Sequence, residues 1–573
     1  MSSKISITTD RIECNNAMTL SGNGASITIG QDGEIMINSD LSVNGNISNT
    51  DNSAIYINAN GASLGIGEEG TISFGNGFTI QNTRIGTSIS KFPEYARGRG
   101  NCPALDGMGF MNSKNEIRFW GDNNYNRNGT SAPQYYAPGI NLSIDPCATS
   151  APLKHYCENN MHIIITADGE AYCTGQNDLG QFSLEDSSIN TNSSPFKKSS
   201  VTNISLTALG QNGNTVYFLD TNGAVYASGS NNYGQIGDGT TTNTSSGGAF
   251  KTRGPGSTGS GVSGTGAVNK VITVGGWTGS NTTQTAMVLY GNGAVQVVGY
   301  GATGLMGDGT TTTTNSSWKG VDLSGFGNDF IVTDIQGAGS TTNNSFIILG
   351  QNSVESCVIG WGRNLYGELG QGNTSIQSSP VKIIGSESVT DMWVHGTRPR
   401  LFIKLSNGEI WATGYNGNGC LGVGDTVNKS SLTQVTSLSS YDIDEIISFS
   451  EDTPDAGNAP VHTVAYTSNG KILGSGYNQN GNLSLGDLSD INTFQLLYTP
   501  FNISSKIVSV KTPVDNENPR IYCHHITGIG GGTWVISDKG YMYYSGYNTY
   551  GALGDIVSSN DEISYMSLMN QYI

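Results

Sequence analysis

The sequence has few charged residues and few cysteines, and it contains no long hydrophobic run. Asp, Glu, Lys and Arg make up 13% of the 573 residues, about half of the usual quarter. Helical bundles and coiled coils need Ala, Glu, Lys and Leu in quantity, so this composition excludes them. No apolar run approaches the roughly 18 residues of a membrane-spanning helix, and residues 1–10 lack the apolar core of a secretory signal. The sequence therefore predicts no membrane insertion.

Basic residues are scarcer than acidic ones, and cysteine pairs are missing. The 27 Lys and Arg residues stand against 45 Asp and Glu residues, which gives a net charge of −18. Because such a chain repels phosphates, we expect no nucleic acid partner. None of the 8 cysteines forms a Cys-x-x-Cys pair, so we expect free thiols rather than a disulfide framework or a zinc site.

Patterns typical of catalytic and metal sites are also missing. No His-x-x-x-His or His-Glu-x-x-His pattern occurs among the six histidines, and no Gly-x-Ser-x-Gly elbow precedes a helix. The Gly-Asp-Gly-Thr segments at 237–240 and 307–310 each offer one carboxylate, whereas calcium takes about six to eight oxygen ligands. We therefore predict turns there, and a non-enzymatic protein without catalytic residues, metal or cofactor.

Glycine is abundant, and it recurs in a fixed pattern of the form x-G-x-N-x-x-G-x-L-G-x-G. Clear copies cover 225–239 and 360–372, and each follows an apolar run and a tight turn, such as 401–405 and then 406–408. Asn-Gly between β-rich runs is a strong hairpin signal. The first glycines of the copies are Gly121, Gly175, Gly229, Gly299, Gly362, Gly414, Gly476 and Gly546. The second glycines are Gly234, Gly367, Gly419, Gly481 and Gly551.

Successive copies are 52 to 70 residues apart, which leaves room for four strands in each unit. Such a period predicts an all-β protein with blades arranged radially. The motif resembles the repeat of the regulator of chromosome condensation family over roughly residues 100–573. The resemblance implies a β-propeller, and the copies predict seven or eight blades over residues 90–573. Ring closure is expected to pair residues 562–568 with the first blade.

Residues 1–89 lack this motif but contain a duplication of their own. Residues 23–35 are echoed by 60–72, and both copies alternate apolar and polar residues. A β segment this short has little core of its own, so we predict a small N-terminal β-repeat domain that anchors the chain in a homo-oligomeric assembly. Residues 41–47 resemble segments of bacteriophage tail fibres. An ordinary β-sandwich cap is the alternative.

Binding is predicted on loops that join the second and third strands of the blades, at 275–281, 395–400, 451–456 and 512–520. These loops contain aromatic and arginine side chains suited to stacking and to bidentate recognition of a sugar, a carboxylate or a protein edge. In the alternative interpretation, the tryptophan packs between blades and the arginines are solvated. The binding-face candidates are Trp277, His395, Arg398, Arg400, Asn516 and Arg520.

Three functional hypotheses arise from these features. The first is a phage virion structural or attachment protein, made in the host cytoplasm. In it, residues 1–89 dock to other virion proteins and the propeller binds a host surface protein or glycan. The second is a bacterial surface or secreted propeller that binds or inhibits another protein. The third, implied by the family resemblance, is guanine-nucleotide exchange on a small GTPase, although the acidic charge disagrees with a role on chromatin.

Overall fold

The computed structural model consists of β-strands joined by turns. In the part of the chain that the structure describes, two short 3-10 helices lie between the strands, at Ser324–Phe326 and Thr436–Leu438. No helix in the described residues is long and apolar enough to cross a membrane. The structure describes residues 12–14, 35–37, 64–66, 72–74, 97–98, 107–111, 117–121, 140–142, 150, 152–158, 161–184, 193–209, 214–244, 250–253, 266–276, 282–340, 343–385, 388–450, 461–467, 471–497, 522–524, 532–536, 542–547 and 562–568.

The chain divides into two compact units, residues 1–85 and residues 86–573. In the first unit, β1 (Ile12–Cys14) pairs in parallel with β2 (Ile35–Ile37). The strands β3 (Leu64–Ile66) and β4 (Ile72–Phe74) pair antiparallel. The assembly role of residues 1–89 stays a prediction.

Eight sheets make up the described part of the second unit. Sheet 1 contains β6 (Gly107–Met111), β7 (Ile117–Gly121) and β8 (Ile140–Leu142). Sheet 2 contains β9 (Pro152–Glu158), β10 (Met161–Thr166), β11 (Ala171–Gly175) and β12 (Ser193–Lys198), with β5 (Arg97–Gly98) added beside β9. Sheet 3 contains β13 (Ile204–Leu209), β14 (Thr215–Asp220), β15 (Val225–Gly229) and β16 (Phe250–Arg253). Sheet 4 contains β17 (Val268–Val274), β18 (Thr285–Tyr290), β19 (Val295–Tyr300) and β20 (Thr314–Gly320).

The remaining four sheets repeat the same antiparallel order. Sheet 5 contains β21 (Ile331–Ser340), β22 (Asn343–Gln351), β23 (Ser356–Gly362) and β24 (Gln377–Ile384). Sheet 6 contains β25 (Val389–His395), β26 (Arg400–Leu405), β27 (Ile410–Gly414) and β28 (Lys429–Gln434). Sheet 7 contains β29 (Ile443–Ser450), β30 (Val461–Thr467), β31 (Ile472–Gly476) and β32 (Ile491–Leu496). Sheet 8 contains β33 (Tyr522–His524), β34 (Gly532–Ile536), β35 (Met542–Tyr547) and β36 (Glu562–Leu568).

The first strands of successive sheets lie against one another, as β13 does with β17, β17 with β21, and β21 with β25. Sheets that meet along their first strands radiate from a common axis, which is the arrangement of a propeller. The all-β propeller prediction is therefore confirmed. In the sheets with four strands, the first motif glycine lies at or near the end of the third strand, as Gly414 does in β27; in sheet 1, Gly121 ends β7, the second described strand. Whether the ring has seven or eight blades stays a prediction, because sheet 1 has three described strands.

The predicted pairing of residues 562–568 with the first blade is wrong. This segment is β36, which pairs antiparallel with β35 of its own sheet, with Gly546 opposite Ile563. The reason is the strand register, which pairs the fourth strand of a sheet with the third strand of the same sheet. In sheets 4 to 7 the fourth strand likewise pairs back onto the motif glycine, as Gln377 does with Gly362 and Lys429 with Gly414.

The hydrophobic core lies between neighbouring sheets. Second strands such as β14 and β18 are buried along their whole length, because sheets cover both of their faces. Met287 of sheet 4 packs in one cluster with Phe346 and Trp361 of sheet 5. The indole nitrogen of Trp361 also donates a hydrogen bond of 2.9 Å to the Leu305 carbonyl of sheet 4.

The propeller has two different ends. At one, which we call the turn end, Val268 N donates to the carbonyl of Gly223 in the preceding sheet's hairpin turn. At the other, the motif end, Ser228 Oγ donates to Gln181 O over 2.6 Å and Ser475 Oγ donates to Cys420 O over 3.2 Å. Hydroxyls near the end of third strands thus hold the motif loop of the preceding sheet.

Three of the four predicted binding loops lie between first and second strands of a sheet, not between second and third strands. Residues 275–281 follow β17, residues 395–400 run from β25 into β26, and residues 451–456 follow β29. Residues 512–520 precede β33 and lie outside the described residues, as do 451–456. The sequence prediction numbered the strands of each blade wrongly, because no motif marks the first strand of a sheet. The described residues of the first two loops, 275–276 and 395–400, therefore lie at the motif end.

Loss of one hydroxyl at the motif end should weaken the junction between sheets 5 and 6. Thr413 Oγ1 lies 2.9 Å from Gly367 O and 2.6 Å from Lys429 O. We expect Thr413→Val, which keeps the shape but removes the donor, to lower the free energy of unfolding by about 1–3 kcal/mol. The control is Thr390→Val, at an exposed residue of β25. Equal losses in denaturant titrations of both variants would contradict a specific role for Thr413.

Candidate interaction site at the motif end

The first glycine of each motif brings two loops of the motif end together. Gly414 has φ of +105°, and a Cβ built on it would lie 2.4 Å from the carbonyl oxygen of Pro399. Positive φ disfavours residues with a Cβ, and the short approach leaves no room for one. The motif loop after β27 consequently packs directly on the turn at 395–400.

The motif asparagine ties the loop to itself. The Oδ1 atom of buried Asn416 accepts a hydrogen bond from Leu421 N at 2.9 Å, and its Nδ2 donates to Asp425 O and Val427 O. Four other motif asparagines accept the same bond from the residue five positions on, at 2.8–2.9 Å: Asn177, Asn231, Asn364 and Asn478. Each loop therefore presents its remaining residues in the same way.

Tyrosines occupy two fixed positions in these loops, and they meet between sheets. The rings of Tyr233 and Tyr300 are 5.0 Å apart, and those of Tyr366 and Tyr415 are 5.2 Å apart, both edge to face. Tyr415 is 5% exposed and the others are half-buried. We call this set the tyrosine row; its members are Tyr233, Tyr300, Tyr366, Tyr415 and Tyr477.

Exposed aliphatic side chains lie in the same motif loops. Leu365 is 39% exposed, Ile376 37%, Val427 65% and Leu488 41%. Together with the tyrosine row they give the motif end an apolar and aromatic surface contributed by several successive sheets. Contiguous apolar patches on a protein surface mark interaction sites, so these side chains make the motif end the candidate site.

The structure buries the two candidate arginines of the 395–400 turn. Arg398 is 5% exposed; its Nη1 donates to the Tyr415 hydroxyl over 2.9 Å, and its guanidinium carbon lies 4.9 Å from the centre of that ring. Arg400 is fully buried, and this burial lowers its pKa. The interpretation in which these arginines are solvated is wrong for both, because the turn folds inward against Tyr415.

His395 is the third candidate that the structure describes. It is half-buried, and its Nε2 lies 2.8 Å from the carbonyl oxygen of Ile446 in β29. The structure therefore brings His395, Arg398 and Arg400 together in one turn at the motif end. Trp277, Asn516, Arg520 and the motif glycine Gly551 lie outside the described residues. The binding roles of all six candidates stay predictions.

Titratable groups at this end are shifted by burial. Desolvation lowers the pKa of His462 to about 3, with a smaller contribution from Arg400, so this imidazole is neutral in the fold. Burial raises the pKa of the Cys420 thiol to about 11. Cys173, Cys357 and Cys420 are buried free thiols, as predicted.

In the described part of the chain, no group of three His, Cys, Asp or Glu side chains is arranged to hold a metal ion. The two Gly-Asp-Gly-Thr segments form turns instead. Asp238 accepts hydrogen bonds from the backbone and hydroxyl of Thr240, and Asp308 does the same with Thr310. Lys319 also pairs with Asp308 at 2.8 Å.

Sequence reasoning missed the tyrosine row, although a signal for it was present. A tyrosine directly follows Gly299, Gly414 and Gly476, and a side chain at a fixed place in a repeat occupies a fixed place on one end of the propeller. The consensus motif leaves the position after its first glycine undefined. The recurring tyrosine is therefore visible only when the individual copies are aligned on that glycine.

Comparison with known proteins supports the repeat. Residues 355–395, which span β23 to β25, match the family described as the Regulator of chromosome condensation (RCC1) repeat. The Ultraviolet-B receptor UVR8 of Arabidopsis thaliana is 29% identical over 133 residues, or 23% of this chain and 28% of that protein. The E3 ubiquitin-protein ligase HERC2 of Homo sapiens is 26% identical over 132 residues, which is 3% of its length. The chain thus matches about a quarter of the first relative and a small part of the second.

Two solved structures are similar at a low level. Human WBSCR16 aligns with 64% of this chain and 85% of its own, at 17% identity and a TM-score of 0.45. Prp20p from Saccharomyces cerevisiae aligns with 60% of this chain and 78% of its own, at 15% identity and a TM-score of 0.42. Residues 355–395 therefore match a regulator of chromosome condensation repeat, and the glycine and asparagine geometry of this repeat recurs in the other described motif loops of the propeller.

Proposed function

We propose that this chain is a non-enzymatic propeller that binds a protein partner through its motif end. The observation that carries the proposal is the combined surface of the tyrosine row and the four exposed aliphatic side chains Leu365, Ile376, Val427 and Leu488. Tyrosine and arginine anchors dominate the binding energy of protein interfaces, and surrounding apolar contacts exclude water from them.

The geometry gives this surface the rigidity that an interface needs. The motif loops are fixed by their buried asparagines, and the Tyr366 and Tyr415 rings brace each other across two sheets. Arg398 stacks on Tyr415 and so fixes this ring from the opposite loop. Because these groups are ordered before binding, little conformational entropy is lost when a partner docks.

The more specific role predicted from the sequence was attachment of a phage virion to its host. No relationship to tail-fibre proteins supports it, so the proposal stops at protein binding. Exchange activity on a GTPase has no observation in its favour at the motif end, and it is not adopted as a second candidate.

Surface substitutions at the two ends test the proposal. The full chain serves as bait in an extract of its source cells, captured proteins are identified by mass spectrometry, and the purified partner is then titrated. We expect the double variant Leu365→Ser, Val427→Ser to weaken binding at least about tenfold, the loss that about 1.4 kcal/mol produces. The matched control is Val354→Ser, which changes a residue 88% exposed at the turn end.

The control variant should bind within about twofold of the unchanged chain. All these side chains are exposed, so neither variant is expected to disturb the fold. A partner that the control variant loses and the double variant retains would place binding at the turn end and refute the proposal.

A further inference from the structure

In three of the motif loops, one position is occupied by glutamine or glutamate, whereas the loops of sheets 6 and 7 have Cys420 and Asn482 there. It lies four residues after the motif asparagine and is occupied by Gln181, Gln235 and Glu368, all fully buried. In each case one side-chain oxygen accepts a hydrogen bond from the backbone two residues earlier. The N to O distances are 2.9 Å for Leu179 to Gln181, 2.8 Å for Tyr233 to Gln235, and 2.9 Å for Tyr366 to Glu368. Glu368 therefore adopts the glutamine arrangement.

The second arm of Gln235 joins two sheets. Its Nε2 donates a hydrogen bond of 2.6 Å to the carbonyl of Thr282 in sheet 4. Thr282 lies three residues before Thr285, which pairs with the motif glycine Gly299. The Gln235 side chain thus donates a hydrogen bond to the next sheet.

In the junction between sheets 5 and 6, the register is the same. Arg400 pairs with the motif glycine Gly414, so Thr397, three residues before Arg400, corresponds in the sequence to Thr282 of sheet 4. The Oε1 atom of Glu368 is buried and has no hydrogen-bond partner in the described residues. A carboxylate has no hydrogen to give to a carbonyl, whereas a protonated carboxylic acid has one.

We propose that Glu368 is a neutral carboxylic acid at neutral pH and that its proton links sheets 5 and 6 as the amide of Gln235 links sheets 3 and 4. The junction between sheets 5 and 6 then depends on a proton, and the junction that Gln235 makes between sheets 3 and 4 does not. The Nε2 atom of Gln181 makes no such link in the described residues, because it donates to Asp178 Oδ1 of its own loop at 3.0 Å.

The surroundings of Glu368 agree with this assignment. A Cβ on Gly414 would lie 3.2 Å from Arg400 Cα and 3.3 Å from Glu368 Cβ, so the side chain is enclosed between the two sheets. Burial raises the pKa of Glu368 to about 8, against smaller opposing effects from backbone N–H groups and Arg363. The other titratable groups that face this region are Tyr366 from its own loop and Arg398, Arg400 and Tyr415 from sheet 6. No arginine forms an ion pair with Glu368 within the described ranges.

The consequence for stability follows from linkage. The folded chain keeps the proton up to about pH 8, whereas the unfolded chain releases it near the ordinary value of 4.5. Between these values the unfolded state binds fewer protons, so folding becomes less favourable as the pH rises, by about tenfold in the unfolding constant per pH unit. Below about 4.5 and above about 8 this contribution is constant.

The test compares the full chain with Glu368→Gln and with the reverse exchange Gln235→Glu. Denaturant titrations between pH 5 and 8 give the unfolding constants. We expect the unfolding constant of the unchanged chain, divided by that of Glu368→Gln, to rise about tenfold per pH unit. Gln235→Glu should add a second pH dependence to the unfolding constant, so that this variant loses stability more steeply than the unchanged chain as the pH rises. Parallel pH profiles for the unchanged chain and Glu368→Gln would overturn the proposal.

A direct spectroscopic measurement covers the case in which a variant does not fold. Infrared spectra of the full chain labelled with 13C-glutamate should show the C=O band of one protonated carboxylic acid at pH 7, which disappears on titration through about pH 8. Absence of this band at pH 6 would refute the proposal without any variant.

Discussion

The substitution Gly414→Ala should destabilise the chain by about 3–5 kcal/mol, at the upper end for single substitutions. Its φ of +105° costs a residue with a Cβ about 1–2 kcal/mol, and the new Cβ would lie 2.4 Å from the Pro399 carbonyl oxygen. Because the obstacle is backbone, no side-chain rotation relieves it. Denaturant unfolding of the full chain measures the loss.

Gly408→Ala separates the two causes. Gly408 has φ of +85°, but a Cβ there would have no atom within 4 Å. We expect this variant to lose only the conformational part, about 1–2 kcal/mol. If both alanine substitutions lowered the free energy of unfolding equally, the close approach of the motif loop to the 395–400 turn would make no contribution to stability.

The substitution Asn416→Ala should cost about 2–4 kcal/mol. It removes the acceptor for Leu421 N and the donor for Asp425 O and Val427 O. Leu421 is fully buried, and a buried polar group left without a partner costs about 1–3 kcal/mol on its own. Unfolding by denaturant and hydrogen exchange of residues 416–428 are the measurements, and exchange should speed up throughout this loop.

The control for this substitution is Asn407→Ala in the exposed turn between β26 and β27. Asn407 accepts one hydrogen bond, from Glu409 N at 2.9 Å, in contact with solvent, so we expect a loss below about 1 kcal/mol. A small loss for Asn416→Ala, comparable with that of Asn407→Ala, would mean that the loop is held by its glycines alone.

Local sequence patterns were sufficient to predict the repeating unit. The Asn-Gly hairpin turns, the apolar second strands and the glycine-rich loops follow from backbone preferences of a few consecutive residues. The structure confirms them in copies such as Gly408 and Gly414, whose φ values are +85° and +105°. Composition and period also predicted the all-β propeller, because units of this length bury their faces only by packing on one another.

The candidate interaction site depends on contacts that no local pattern contains. The ring of Tyr366 meets that of Tyr415, 49 residues later, because neighbouring sheets bring their motif loops together. Arg398 is buried because its turn folds against the loop of the same sheet, and its sequence context gave no sign of this. The same holds for β36, whose partner is set by register and not by composition.

The sequence by itself determined the repeat, the hairpins and the propeller, because each rests on turn chemistry and periodicity within one unit. Only the tertiary structure decided which loops share an end, which side chains form the tyrosine row, and that Glu368 is fully buried with one carboxyl oxygen that has no hydrogen-bond partner in the described residues. These features arise between units, from residues about 30 to 70 positions apart that packing alone brings into contact.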